Sequence, residues 1–312
     1  MTRKSRDHGG GIDAAAARFG GARAGWIDLS TGINPVPYPI GQVSIDAWTE
    51  LPDTEATIRL LDAARAFWNV PQEAAIVAAP GASALIRHIP LLRPAGTVDI
   101  PRPTYNEHWA AFEAAGWAEA SDRPDARVLV HPNNPTGIWH EPAALTAPLT
   151  VIDESFCDVA PEQSLIAHSQ QRGQIVLKSF GKFWGLAGLR LGFAIGHPQD
   201  ISALGQMLGP WAVSGPALQI GARALSDHEW AHATRTRLQA DAARLDALMT
   251  RAGAGLAGGT TLFRLYSVDD CQQWQERLAH HRIWTRVFPY SRHYLRLGLP
   301  APQHWQRLEA AL

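Results

Sequence analysis

The chain has 312 residues, 46% hydrophobic and 18% charged, which excludes a disordered chain, since such chains lack the apolar surface to offset ordering entropy. At about 150 residues per domain it has room for two domains. Its 28 basic residues nearly cancel 29 acidic ones, for a net charge of −1, so no nucleic-acid partner is expected, because that partner selects a basic excess. The two cysteines, Cys157 and Cys271, make no disulfide framework and fit a reducing compartment. The start, MTRKSRDHGGG, is charged and then glycine-rich, with no apolar signal core behind it. No stretch approaches the roughly 18 uninterrupted apolar residues of a membrane span. A soluble, cytoplasmic protein with no membrane partner is expected. Only three of the basic residues are lysines, Lys4, Lys178 and Lys182. In a chain that otherwise uses arginine, a lysine points to a place where an amine is needed.

The first 30 residues read as an N-terminal arm. Residues 20–41 are rich in Gly and Pro (GGARAG, then NPVPYP) and read as turns and extended chain. Apolar residues at helical spacing predict a helix over 55–68. Strand and helix patterns then alternate: strand 74–79, helix 83–92, strand 97–100, helix 105–116. Buried strands follow at 127–130, 149–153 and 174–179, with RLGFAIG (190–196) after them. This alternation predicts an α/β domain with a mostly parallel sheet. From about residue 213 the texture changes. Residues 216–250 form one long Ala/Leu/Arg-rich helical pattern. TLFRLYS (261–267), a helix over 270–281, IWTRVF (283–288), YLRLGL (294–299) and a terminal helix complete a smaller α+β domain. The expected division is an arm over 1–30, a large domain over 31–212 and a small domain over 213–312.

Ligands of an open α/β sheet sit at the carboxyl ends of its strands, and several polar groups fall there. Gly81, Ala82 and Ser83 follow the strand 74–79 and open a helix, where free N–H groups favour an anion such as phosphate; a plain turn capped by Ser83 is the bland alternative. HPNNPTG (131–137) is turn chemistry that can also aim the Asn134 amide into a cleft as a donor. Asp153 closes an apolar strand, so its charge needs a cationic partner. SFGKFWGLAGLR (179–190) offers a hydroxyl at Ser179, an amine at Lys182 and a guanidinium at Arg190. Desolvation and neighbouring positive charge would free the Lys182 amine as a nucleophile.

The order Gly-Ala-Ser turn, Tyr105, Asn134, Asp153, Lys182, Arg190 resembles the fold-type I enzymes that use pyridoxal phosphate, the class I/II aminotransferase superfamily. The likeness runs from about residue 30 to 300. It implies a pyridoxal-phosphate-dependent transferase-like fold, α/β with a large, mostly parallel-sheet domain and a smaller α+β domain. It implies that Lys182 holds the cofactor covalently and that Asp153 keeps the cofactor ring nitrogen protonated. Asn134 would hydrogen-bond the ring hydroxyl and Tyr105 would stack on the ring. Gly81, Ala82, Ser83, Ser179 and Arg190 would hold the phosphate, for which an arginine fork is well suited. Lys178 is the rival for the covalent link, but it lies inside a predicted strand. The S-x-x-K pattern with Arg eight residues later selects Lys182.

Within that superfamily the chain is similar to the histidinol-phosphate aminotransferase branch, and there to the threonine-phosphate decarboxylases of cobalamin biosynthesis. HGGGIDAAAARFG (8–20), LSTGINP (29–35) and DESF (153–156), with Phe156 where many aminotransferases have Tyr, carry this likeness. It implies a substrate with a phosphate and a carboxylate, L-threonine O-3-phosphate, converted to 1-amino-2-propanol phosphate. Arg296 would clamp the carboxylate; Arg286, His8 and Gly9 would help with the phosphate. Gly32, Asn34 and Asn134 also fall at substrate-binding positions, though Gly32 stands where relatives have Asn. A homodimer is implied, yet Leu51 replaces a Tyr that reaches the partner's cofactor phosphate in related aminotransferases. The motifs leave transamination of the histidinol-phosphate type as the alternative reaction.

Two readings from other classes compete. His228-Glu229-Trp230-Ala231-His232 matches the H-E-x-x-H zinc pattern. Against it, Ser226 and Glu229 make a capping box for a new helix, and no metal site is expected. A non-catalytic scaffold that kept the fold is the second rival; intact Lys182, Asp153 and Asn134 speak against it. A phosphate-loop nucleotide site is excluded, because Phe183 follows Gly181-Lys182 where Ser or Thr is required and position 176 is Val.

Overall fold

The structure is a computed structural model that describes residues 8–312, so Lys4 and the charged start lie outside the described residues. By contacts the chain forms two compact units, one of residues 37–233 and one that joins residues up to 36 with 234–312. The sequence reading draws its lines at 30 and 212 instead. Residues 213–233 belong with the large unit because the helix Gly215–Leu225 packs on the helix Thr54–Trp68. A Cβ at Gly221 would come within 2.8 Å of Leu60 and 2.6 Å of Leu191, so glycine is what lets these elements approach.

The large unit is built on a seven-stranded sheet in the order Ala75–Ala79, Gly192–Gly196, Gln174–Ser179, Leu149–Asp153, Ala126–Val130, Thr97–Asp99, Ala118–Glu119. All neighbours from Gln174–Ser179 to Ala118–Glu119 pair in parallel, as the alternating pattern predicts. Gly192–Gly196 runs antiparallel to both its neighbours. The glycine-rich return from Ser179 carries only a 3-10 turn, Ala187–Leu189, where a parallel crossover would need a helix. Leu149–Asp153 is buried at every position, which is why it reads as an unbroken apolar run rather than an alternating one.

The helix Thr54–Trp68 starts where the Asp53 carboxylate accepts from Ala56 N at 2.6 Å and ends at Asn69, whose φ of 51° is left-handed. The predicted helix 83–92 splits into Ala82–His88 and a 3-10 turn Ile89–Leu92, since Pro90 cannot donate to the α pattern. The helix Pro198–Leu208 is absent from the sequence reading. Pro198 opens it at its first position, and it packs on the strand Ala75–Ala79. The single helix expected over 216–250 is two, Gly215–Leu225 and His228–Arg251. Asp227 caps the second by accepting from Trp230 N at 2.9 Å, while Ser226 Oγ donates back to Ala222 O. The new helix is therefore real, but its cap is Asp227 rather than the Ser226–Glu229 box.

The smaller unit holds an antiparallel sheet in the order Arg286–Phe288, Ser291–Gly298, Phe263–Ser267, Gly255–Thr260. The last strand, GLAGGT, carries too much glycine to be legible as a strand. Ile27–Asp28 pairs in parallel with Ile283–Trp284, so the N-terminal arm is part of this unit. The helix Ile12–Phe19 packs there through Ile12, Ala15, Trp26 and Ala279. Among the described residues no helix is long and apolar enough to cross a membrane.

Candidate active site

Val130, Asp153 and Leu177 stand in register on three adjacent parallel strands. The loop 131–137, Asp153 and the segment 179–190 therefore emerge at one carboxyl edge, where open sheets bind ligands. Asp153 is 3% exposed. One of its oxygens accepts from Ser155 N at 3.0 Å and from Ser155 Oγ at 2.5 Å, and the other meets His108 Nε2 at 2.8 Å. Burial alone would push the Asp153 carboxyl up, but His108 and Ser155 outweigh it and hold its pKa below the ordinary value. An ionised acid is thus fixed at the strand end.

His108 is the residue that sequence reasoning missed. It lies three residues after Tyr105, which stands just before the helix Asn106–Ala114, and the two rings meet edge to face at 6.1 Å. The i, i+3 spacing of Tyr105 and His108 is the signal that could have found it, since such residues share a helix face. In the loop 131–137 the neighbouring asparagines divide their work. Asn133 is buried and ties the loop together: its oxygen accepts from Thr104 Oγ1 at 2.6 Å and its amide donates to Pro103 O and Thr136 Oγ1. Asn134 follows it half-buried at the edge.

The second cluster forms where Ala79, Gly192 and Ser179 stand in register on adjacent strands. Gly81 has a φ of +83°, and a Cβ there would lie 2.6 Å from Arg190 Nη2, so the guanidinium lies against the Gly81–Ala82–Ser83 turn. Arg190 is exposed, itself left-handed at φ 52°, and anchored by Nη1 to Ala187 O at 3.0 Å. Ser179 Oγ accepts from Gly181 N at 3.3 Å. A cation, a turn of N–H groups and hydroxyls at Ser83 and Ser179 make a donor set for a phosphate.

The two candidate lysines separate cleanly. Lys178 is buried between Glu154 at 2.7 Å and Asp158 at 3.5 Å. Burial would lower its pKa, but the two carboxylates overcome that and raise it, so its amine stays charged. Lys182 is half-buried at the edge, with Nζ 5.2 Å from the centre of the Phe156 ring, three residues beyond Asp153. Of the two, Lys182 is the one that stands at the sheet edge.

In the smaller unit Arg286 and Arg296 are register partners on adjacent strands. Arg296 is 5% exposed; its Nη2 donates to Ser30 O at 2.6 Å and its guanidinium lies over the Phe263 and Phe288 rings. Burial and the adjacent Arg286 charge pull the Arg296 pKa down to about 10. Arg286 Nη1 donates to the His8 carbonyl at 2.6 Å, which fixes the start of the described chain beside the pair. Gly9 is needed there, since a Cβ would lie 2.5 Å from Ser30 O. Gly32 is buried, and the neighbouring Thr31 carbonyl fits only because position 298 is glycine. Asn34 is buried, and its Oδ1 accepts from Arg237 Nη2 at 2.6 Å and from Val36 N at 3.0 Å. Two neighbouring guanidiniums offer forked donors suited to anionic groups.

The H-E-x-x-H pattern gains no support as a metal site. The His228 ring stacks on Phe67 at 5.4 Å. Among the described residues the one group with ligand atoms close together is His131, Glu154 and Cys157. Those atoms are already used: His131 bonds Gln163 O and His140 N, while Glu154 accepts from Lys178, Ser164 Oγ and Leu165 N.

The family model for aminotransferase class I and II matches residues 117–310. The chain is 40% identical to a threonine-phosphate decarboxylase of Pseudomonas aeruginosa, over 98% of this chain and 97% of that protein. It is also 40% identical to a threonine-phosphate decarboxylase of a Sinorhizobium species, over 94% and 92%. The crystal structure of histidinol-phosphate aminotransferase from Sinorhizobium meliloti in complex with pyridoxal-5'-phosphate superposes with a TM-score of 0.84 at 18% identity, over 97% of this chain and 93% of that one. This is the expected fold-type I architecture.

Proposed function

The chain belongs to the class I and II aminotransferase family, and from that premise we propose that it is a pyridoxal-phosphate-dependent decarboxylase. Its substrate is L-threonine O-3-phosphate and its product (R)-1-amino-2-propanol O-2-phosphate, in cobalamin biosynthesis. The observation that carries the reading is the 40% identity over nearly the whole of both chains to a threonine-phosphate decarboxylase. The donor set fits the cofactor. Asp153 is kept ionised, Arg190 lies on the Gly81–Ser83 turn, and Lys182 stands at the same sheet edge.

When bound, pyridoxal phosphate supplies an aldehyde that joins an amine and a ring that stores the electron pair of a bond broken at the substrate Cα. Lys182 Nζ would be the amine that holds the cofactor covalently and is displaced by the substrate amine. Asp153 would supply the negative charge that keeps the ring nitrogen protonated, and that cation would offset the cost of burying the carboxylate. Gly81, Ala82, Ser83, Ser179 and Arg190 hold the cofactor phosphate; Asn134 and Tyr105 orient the ring. Arg296 grips the substrate carboxylate, and Arg286, with His8 and Gly9, takes the substrate phosphate; Gly32 and Asn34 shape the surrounding loop. Which bond at the substrate Cα is labilised would depend on how these grips orient the substrate. Arg296 would hold the carboxylate that is lost as carbon dioxide, and Lys182 Nζ would pass to the same Cα a proton taken from the substrate ammonium.

The same proposal has two copies working together in the cytoplasm. Support for the pairing is a run of exposed apolar side chains within one segment, Ile40, Ile45, Trp48, Leu51 and Ile58. Incubation with O-phosphothreonine tests the reaction. Stoichiometric release of carbon dioxide is expected. Glutamate formation from histidinol phosphate plus 2-oxoglutarate, without carbon dioxide release, would assign the chain to transamination instead.

A further inference from the structure

Behind the candidate site lies a buried charged cluster that the proposed chemistry does not use. Lys178 immediately precedes Ser179, and its ammonium pairs with Glu154 at 2.7 Å, the residue after Asp153. Asp158 closes the cluster. Its Oδ1 accepts from Trp68 Nε1 at 2.9 Å and faces Lys178 at 3.5 Å, and its Oδ2 accepts from Trp184 Nε1 at 3.1 Å. Trp184 is two residues beyond Lys182 and fully buried. Its indole is sandwiched flat between Phe180 at 5.2 Å and Trp230 at 5.3 Å, with interplanar angles of 12° and 13°. The backbone between is tight as well, with Gly185 N donating to Lys182 O at 3.1 Å.

Phe183 at 5.3 Å and Tyr38 at 5.9 Å meet the indole edge to face, and Phe67 at 5.2 Å at a tilt, so packing encloses it. The hydrogen bond to Asp158 adds the one directional polar anchor of its ring, and a bond to a buried carboxylate is among the stronger ones. Asp158 in turn is held by Lys178, which also holds Glu154. One ammonium therefore fixes the backbone beside Asp153, beside Ser179 and, through the indole, beside Lys182. We infer that Trp184 is a positioning residue for Lys182, registered by its Asp158 hydrogen bond against the Lys178–Glu154 pair. The inference rests on Lys182 being the cofactor-bearing amine. A bare ion pair would be weak evidence for stability, since its desolvation cost offsets the attraction; conformational specificity is the role the geometry gives it.

Trp184→Phe removes the Nε1 donor while keeping a ring between Phe180 and Trp230. The pyridoxal phosphate dissociation constant, read by absorbance titration of the apoprotein, should rise roughly tenfold. At saturating cofactor, kcat on O-phosphothreonine should fall several-fold with KM unchanged. Lys178→Met should give the same two changes, and Lys178→Arg should recover most of both. A purely structural role predicts a lowered Tm with wild-type dissociation constant and kcat, and that result would overturn the inference. If Trp184→Phe does not fold, the Lys178 pair of variants decides. Wild-type protein that takes up no pyridoxal phosphate would defeat the proposed function itself, a distinct outcome from variants that bind as wild type does.

Discussion

Asp153 and Arg296 are both buried charges, and their surroundings treat them in opposite ways. Asp153 has a hydrogen-bond partner for each oxygen, so its folded pKa lies below the ordinary 3.8. Its contribution to stability is therefore present above that ordinary value and is lost as pH falls through the folded one. Replacing His108 by Ala leaves one oxygen unmatched, costs about 2 kcal/mol, and moves the onset of acid unfolding to higher pH, which urea titrations across pH 3–6 should reveal. Arg296 instead sits against Arg286 and is pulled down to about 10. Holding it charged costs stability at neutral pH, a cost relieved as pH rises through that value or when an anion arrives. Arg296→Met should therefore leave Tm equal or higher while raising KM for O-phosphothreonine roughly a hundredfold, as loss of a charge-assisted pair demands. A large drop in Tm would contradict this account. Both residues are legible in the sequence, Asp153 by closing an apolar strand and Arg296 by family likeness. His108 is not, because its importance comes from a carboxylate 45 residues away that local pattern does not connect to it.

At the scale of elements, close approach of backbone does the assembly. The strand Gly192–Gly196 lies so near the turn after Ala79 that a Cβ at Gly192 would stand 2.3 Å from Ala82 N. At Gly81 the Cβ would meet the Arg190 side chain instead. Backbone cannot yield and a side chain can, so the two glycines should respond differently to alanine. Gly192→Ala should be severely destabilised, by about 3 kcal/mol or more. Gly81→Ala should fold with a cost of about 1–3 kcal/mol, because φ 83° with ψ 155° is a region almost only glycine adopts, but bind pyridoxal phosphate weakly, since Arg190 must move. Thermal melts and cofactor titrations on both variants separate the cases. The strands 149–153 and 174–179 are legible because burial on both faces writes continuous apolar runs. The helix Pro198–Leu208 and the strand Gly255–Thr260 are not: one opens with His-Pro, which reads as a turn, and the other is half glycine. The break at Ser226–Asp227 is hidden because helical periodicity resumes within two residues.

Across the whole molecule, the family relationship and the chemistry at the sheet edge point the same way. The exposed apolar run from Ile40 to Ile58 should be covered by a second copy, and sedimentation velocity should give twice the chain mass. Trp48→Glu combined with Leu51→Glu should return it to the single-chain mass; a wild-type protein sedimenting as one chain would refute the pairing. The large, mostly parallel-sheet body is visible from alternation alone. The way residues 8–36 join the unit of 234–312 is not, because it depends on the pairing of Ile27–Asp28 with a strand some 250 residues later. Lys182 is expected to carry the cofactor, and borohydride trapping of the purified protein followed by peptide mass spectrometry decides whether it does. A phosphopyridoxyl label on the peptide containing Lys182, and on Lys182 rather than Lys178, is the result expected. A label on Lys178, or none on a protein that decarboxylates O-phosphothreonine, would contradict the account.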